Sequence, residues 1–525
     1  MVISKKLLKS FFLGFLLLYI FNSCASDRID RNNYELKEFI EVTNNPANID
    51  KFNSIIKIHT LNGNVYILND FNIKDNDKIV SGQGTLQDFN RQEIHSGDFN
   101  IPFDSIVIVE TNKIKGNSGI IGMAIVTGLS IYQTLYCIAN PKACFGSCPT
   151  FYTYIDGKEV LEAEGFSSSI APCLETNDID CLTLAKPESS EFKIVMKNEA
   201  LETHVVKYVD LLCVEHKINE RVFNSPEGKF FKTDRITPLS AAICYDGDCV
   251  EDLSSIDNKE RYSLADSEKI TNKEEIILKF NDKLDGKKGL ILNFRQTLMN
   301  TFILYQTLSF MGTNAGSWYA QLERNKNNKN SFFNLNPDGF NEIEVFYQNN
   351  ENQWVKCGVF NETGPIAKNL QLLPIYENNN KNNTLIKLKM AKGQWRLDYA
   401  ALANIIECVN PVRIKPCKIQ TNKNFSTQEN IDLNNYSKPI ISLPGDNYFF
   451  YFNLPENYKN CDLFIDSKGY YLEWMRQEWL KEENNAMIYD LILDGKGYLD
   501  MLTPGFKKIE QSMEQTFWSS RYVKN

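Results

Sequence analysis

Histidine is scarce in this chain. Only His59, His95, His204 and His216 occur among 525 residues. A multi-histidine metal centre needs ligands gathered at tight spacing, and these four are scattered, so no metal site and no cofactor are expected. A basic stripe is also missing. Lys and Arg number 57 against 66 Asp and Glu, the net charge is −9, and the basic residues are scattered, mostly beside Asn in loops. That excludes the electrostatic footprint of a nucleic-acid-binding protein. No spaced set of nucleophile, base and orienting group is visible, which weighs against an enzyme. Apolar residues are not lacking: 43% of the chain is hydrophobic and 12% aromatic. Such a chain can bury large cores, its length predicts two to four domains, and its aromatics suit strands.

The first residues set the compartment. Lys5, Lys6 and Lys9 precede the apolar run Phe11 to Phe21, and Asn22-Ser23-Cys24 follows. The order of basic region, short apolar region and small residue before cysteine resembles a bacterial lipoprotein signal, with Phe21 and Asn22 departing from its usual residues. The run is too short to span a bilayer. Residues 1–23 are therefore read as a signal peptide and Cys24 as the lipidated mature N-terminus. Residues 24–49 are read as a polar tether. The implied location is the cell envelope, on the periplasmic side or at the outer membrane. The implied partners are the membrane itself and an envelope protein.

Thirteen cysteines are present, so setting Cys24 aside leaves twelve, an even number. Outside the cytoplasm these tend to pair. Near neighbours in sequence are Cys144 and Cys148, Cys173 and Cys181, Cys244 and Cys249, and Cys408 and Cys417, although spacing does not fix connectivity. A thiolate metal site from Cys137, Cys144 and Cys148 is disfavoured, because that spacing matches no standard motif.

Periodicity predicts a mainly β chain with some helix, of the α+β type. Residues 50–115 read as a small SH3-like barrel. Residues 116–142 hold the uncharged run Gly119 to Ala139, read as a buried or membrane-adjacent helix. Residues 143–257 form a cysteine-rich β domain, with a hairpin turn at Asp156-Gly157. Residues 258–407 read as a β-sandwich with one inserted helix from Gln296 to Phe310. Arg295 enters that apolar run and requires a carboxylate partner. Residues 408–440 are a connector. Residues 441–525 hold strands, then amphipathic helices over Tyr470–Glu483 and Lys507–Phe517.

Several clusters invite chemistry. Glu202 and His204 fall on one face of a strand with Asn198, and with Glu199 or Asp210 they supply the enzyme alternative. A polar or satisfied buried pair is the favoured reading. Glu159, Glu162 and Glu164 read as a solvated strand face, and Asp246 with Asp248 lacks the spacing of a calcium loop. Tyr470, Tyr471 and Trp474 read as core rather than a sugar-stacking platform. A third alternative makes Gly119, Gly122 and Gly128 a helix contact in a membrane-embedded complex.

Phrases from Ala143 to Tyr522 carry a likeness: CFGSCPTFY with AEGFSSSIAP, NEALETHVVKYVDLL, RQTL with LYQTLSFMG, GPIAKNLQLLP, GQWRLDYAAL and SKGYYLEWMRQEWL. Together they resemble an uncharacterised family of bacterial exported lipoproteins. They are more loosely similar to β-rich modules appended to secreted FG-GAP-type repeat proteins. The resemblance implies export and a β-rich fold, and it transfers no activity. The expected role is non-catalytic binding or assembly at the envelope. Palmitate labelling of the expressed chain should disappear in Cys24→Ala; label that survives the substitution would defeat the anchor.

Overall fold

The computed structural model describes residues 28–34, 36–43, 56–60, 64–87, 93–115, 148–170, 175–200, 202–285, 287–311, 337–361, 363–376, 382–421, 439–473 and 484–519. Strands dominate them, as the sequence predicts. Contacts divide the chain into two units, Met1–Leu135 and Tyr136–Asn525, each described on its own.

The first unit holds one antiparallel sheet, sheet I. Its strands run in the order Arg28–Tyr34, Ile106–Lys115, Ile56–Thr60, Val65–Lys74, Ile79–Gln87, Glu93–Pro102. The described pairings form an open path, where a small closed barrel was expected. The residues expected as a tether supply both an edge strand, Arg28–Tyr34, and helix α1, Leu36–Thr43. Phe39 of α1 is fully buried with Ile56, Ile58, Leu68, Val80 and Val109, so an amphipathic turn of helix covers the sheet's apolar face. Polar composition concealed this segment, because a single buried aromatic docks it.

The second unit stacks four sheets. Sheet II runs Lys418–Thr421, Asn447–Asn453, Glu191–Lys197, Thr150–Ile155, Lys158–Glu164. Sheet III runs Val412–Ile414, Glu202–Glu215, Cys461–Glu473, Thr176–Cys181, with Ile440–Ser442 also on Glu202–Glu215. Sheet IV runs Phe230–Pro238, Arg221–Asn224, Asn369–Ile375, Lys288–Gln296, Trp395–Val409, Arg261–Tyr262, and Phe230–Pro238 pairs Trp395–Val409 as well, closing a ring of five strands. Sheet V runs Gly247–Asp248, Ala241–Cys244, Lys273–Phe280, Thr384–Ala391, Ile343–Gln348, Trp354–Phe360.

Three cores bind these layers. Sheets II and III share the first, where Ile194, Met196, Phe450 and Phe452 meet Val209, Leu211 and Ile465. Leu212, Val214 and Phe464 leave sheet III on its other face and join Phe230, Ile291, Leu372 and Ala403 of sheet IV in the second. Leu290, Leu292, Phe294 and Leu402 then face Ile276, Leu278, Val345 and Leu388 of sheet V in the third. Sheets III and IV are thus apolar on both faces. The strand Lys288–Gln296 is buried along its whole length, whereas Ile343–Gln348 in sheet V alternates strictly between buried and half-buried.

Two features follow the sequence closely. The hairpin between Thr150–Ile155 and Lys158–Glu164 has positive φ at both Asp156 and Gly157, as a type I′ turn requires. Cys244 and Cys249 form a disulfide around the Tyr245-Asp246 turn. Others depart from it. Cys408 and Cys417 are both free and exposed, on strands of different sheets or their flanks. Cys148 and Cys181 are free and buried, and Cys144 and Cys173 lie outside the described residues. The connector 408–440 contains the strands Val412–Ile414 and Lys418–Thr421. The helix expected from Tyr470 is strand as far as Glu473, and residues 474–483 lie outside the description, as do Cys24, Cys137 and Gly119–Ala139. Among the described residues no helix is long and apolar enough to cross a membrane.

Helices α2 (Met299–Met311), α3 (Asn485–Leu493) and α4 (Gly495–Ser519) pack on the first core. The expected second helix, Lys507–Phe517, is the later part of α4. Tyr498, Leu502, Phe506, Ile509 and Met513 give α4 one buried face. Its polar face is clamped to sheet IV. Arg295 Nε and Nη2 donate to both oxygens of Glu260 at 2.7 Å, and its Nη groups reach Glu514 of α4 at 3.2 and 3.4 Å. Arg396 Nε donates to Glu514 at 2.8 Å, so the carboxylate partner demanded by Arg295 exists twice over. Arg295→Met leaves two carboxylates short of a cation in a mostly buried seam. It should lower stability by roughly 3–5 kcal/mol, read as a shift in the denaturant midpoint, with Arg295→Lys intermediate.

Candidate functional site

The site grows from three local features. Strand Lys288–Gln296 ends where helix α2 begins, so Gln296, Asn300 and Thr301 cluster at one junction. The loop after Lys158–Glu164 turns at Phe166, with Ser169 N–H donating to Phe166 O, and this holds Ser167 and Ser168 opposite the junction. Tyr471 on the long strand of sheet III donates its hydroxyl to Ser167 O at 2.8 Å, tying loop to sheet. Between them lies a cavity of about 140 Å³.

Its walls are uncharged and mix polar with apolar surface. Gln296, Asn300, Asn341, Thr301, Ser167 and Ser168 supply amides and hydroxyls; Ile303, Leu304, Pro365, Tyr305, Tyr471 and Cys148 supply apolar and aromatic surface. Gln394 Nε2 donates to Asn300 Oδ1 at 2.6 Å and to Asn341 Oδ1 at 2.8 Å, fixing both side chains at the wall. Gln296 is 1% exposed, and its Nε2 has no protein partner among the described residues. A buried amide donor in that state is costly to leave unmatched. Burial, with the Glu164 and Glu202 carboxyls nearby, pushes the Cys148 thiol well up, the opposite of an activated nucleophile.

The residues singled out in the sequence mostly serve the frame. Glu202 and His204 do meet: His204 Nε2 lies 2.7 Å from Glu202 Oε1, and both are wholly buried in the sheet. They sit beneath Tyr471, whose ring meets His204 edge-on at 6.3 Å. Neither lines the cavity. Glu199 accepts from Thr150 and Tyr152 hydroxyls. Asp210 is gripped by Arg413, which also binds Asp466. Asn198 lies past the end of its strand and donates to Glu202 O and Ser442 O. Asp246 pairs with Arg261 and Asp248 caps Val250, so the two form no shared site. Among the described residues no group of three metal-ligating side chains converges. Tyr470 and Tyr471 are buried, as core aromatics should be, and Trp474 lies outside the description.

Glu159 is a surface group, held below the ordinary carboxylate range by hydrogen bonds from Lys197 and Tyr154 against partial burial. Glu162 and Glu164, expected on a solvated face, are 5% and 1% exposed. The strand's far end turns under the loop, so its acids are covered. Glu164 Oε2 accepts from Ile366 N–H at 2.9 Å, while Oε1 occupies the space a side chain on Gly364 would take: a Cβ there would stand 1.5 Å away. Burial, then Asp178, pushes Glu164 well up; burial, then Asp178 and Glu164, does the same to Asp180. A second, open cleft of about 530 Å³ carries Lys207, Lys415 and Lys468, with Glu175 paired to Lys207 and Lys468 and Asp210 paired to Arg413 within it.

The cavity residues were not legible beforehand. Ser167 and Ser168 fall in the quoted phrase AEGFSSSIAP and Gln296 in RQTL, but Asn300 and Asn341 fall in none, and nothing in those phrases marked a cavity. Comparison with known proteins adds no family. No family model matches the chain and no curated protein matches it. Among solved structures the infectious bursal disease virus Gx strain structure is similar over 92% of both chains, at 8% identity and a TM-score of 0.14. The GH31 alpha-xylosidase of Xanthomonas citri is similar over 77% of this chain and 35% of its own, at 5% identity and a TM-score of 0.15. Likenesses this slight carry no argument about fold or function.

Glu162 yields a pH prediction. Burial pushes its carboxyl up to about 7, against hydrogen bonds from Leu184 and Thr183 N–H and the Thr153 hydroxyl. The folded state therefore favours the protonated acid. Its contribution is full below the ordinary value of 4.5 and fades as pH rises through about 7. The loss amounts to about 3 kcal/mol. Glu162→Gln should flatten the fall in urea midpoint between about pH 5 and 8; an unchanged slope would refute the assignment.

Proposed function

We propose that this chain is a lipid-anchored protein of the cell envelope whose role is binding or assembly rather than catalysis. The anchor is the membrane contact at Cys24, and the folded portion faces an envelope partner or a ligand from the periplasmic side or at the outer membrane. One observation carries the binding part. The cavity is partly open and is lined by amides, hydroxyls and aromatic or aliphatic surface, with no charged side chain among its lining residues. Such a lining suits a neutral ligand rich in hydroxyl or amide groups: polar atoms fix its orientation and the apolar wall covers its carbons. The enzyme alternative finds less support. Glu202 and His204 have no exposed surface and neither lines the cavity described above, which leaves a reacting group no approach from it.

A thermal-shift titration tests this. N-acetylglucosamine, which carries hydroxyls and an amide, should raise the unfolding temperature at millimolar concentration, and glucuronate should not. Ser168→Trp, at the exposed rim, should abolish the shift while leaving the unliganded transition in place. A shift that persists in Ser168→Trp, or equal response to both probes, would defeat the cavity as the binding site. Recovery of partners from native envelope fractions tests the assembly half.

A further inference from the structure

We infer that Cys213 and Cys461 are built to close a disulfide between the two long strands of sheet III. The pair deepens the reading of an exported protein, because such a bond persists only in an oxidising compartment. The strands Glu202–Glu215 and Cys461–Glu473 are antiparallel, with Cys213 opposite Leu463 and Glu215 opposite Cys461. The two cysteines are therefore diagonal neighbours whose side chains leave the same face. Cys213 is buried in the first core and Cys461 packs against that core. The strand twist draws one diagonal of each pair together, and each thiol lies close enough to the other to perturb it.

Position favours closure. Cys461 opens its strand directly after the turn Tyr458–Asn460, so it has room to rotate and shift without disturbing the ladder. Its sulfur also approaches Asn457 O, at 3.5 Å.

The chemistry is a two-electron oxidation needing an oxidant of the disulfide class, such as glutathione disulfide. Cys461, the more exposed thiol, attacks as thiolate on one glutathione sulfur. That sulfur–sulfur bond breaks and one glutathione thiolate leaves. Cys213 then attacks the Cys461 sulfur of the mixed disulfide and releases the second glutathione. The two cysteine protons end on the two glutathione thiols, so two thiols and one disulfide give one disulfide and two thiols. Burial raises both cysteines, so the exchange should accelerate as pH rises.

The test uses the full chain, reduced, exposed to glutathione disulfide, quenched with acid, alkylated and digested without reductant for mass spectrometry. The expected product is one linked peptide pair joining Cys213 to Cys461, lost on reduction and absent from Cys461→Ser, with Cys244–Cys249 as the internal control. Recovery of Cys213 and Cys461 both alkylated, while Cys244–Cys249 is linked, would overturn the proposal. The same mapping on protein quenched in its source cells separates the two claims. A link that forms in vitro but is missing in cells supports the pair and overturns export.

Discussion

Burial of sheets III and IV on both faces is the constraint from which the second unit follows. A strand apolar on two sides cannot present its polar groups to water, so each ionisable residue within it needs a partner or must stay neutral. Asp398, with 0% exposure, shows the first solution: Lys368, Asn293 and the Asn258 N–H all reach it. Glu202 and His204 show it again, one beside the other within the sheet. Asp180 shows the second, with burial favouring the protonated acid, and Glu162 and Glu164 of sheet II follow the same rule.

These polar groups gather where one layer hands over to the next. Arg221 and the Val222 N–H of sheet IV take Asp462 of sheet III. Asn369 of sheet IV takes Asp180 of sheet III. Glu164 of sheet II takes the Ile366 N–H ahead of a sheet IV strand. Apolar packing has little directional preference, so it sets how closely layers approach more than how they are rotated. The charge-assisted bonds at the seams restrict that remaining freedom. The same division of labour docks α4, whose apolar face meets α2 through Phe506 and Phe302 while Glu514 and Glu510 grip the edge of sheet IV and its neighbouring loop.

Local chemistry made parts of this legible in the sequence. Asp156-Gly157 announced its turn because two residues at positive φ need those types. Cys244 and Cys249 announced a clamp because only five positions separate them. Arg295 announced carboxylate partners because a guanidinium in an apolar run cannot be left alone, although nothing local named Glu260 or Glu514. The failures share one cause. In a strand buried on both faces apolar residues occur at every spacing, so Tyr470 and Tyr471 fitted a helical period as readily as a strand. Cys213 and Cys461 meet only through the register of a strand pair 248 positions apart, and sequence proximity instead suggested Cys408 with Cys417. The cavity depends on where a strand end, a helix start and a serine loop coincide, and no single segment encodes that coincidence.

The same reasoning bears on whether Cys148 and His204 form a reaction centre. A thiol, an imidazole and a carboxylate in one region invite comparison with a cysteine hydrolase. Such a centre needs a thiol lowered by a nearby cation and an imidazole free to move a proton between reacting atoms. Here carboxyls surround the thiol and raise it. The imidazole is held against Glu202 under the Tyr471 ring with no exposed surface. What faces the cavity instead is a set of amides and hydroxyls held by one another, Gln394 gripping Asn300 and Asn341 and Tyr471 gripping the Ser167 backbone. Groups fixed in advance and neutral at every ordinary pH are suited to holding a ligand, because little order is lost when it arrives.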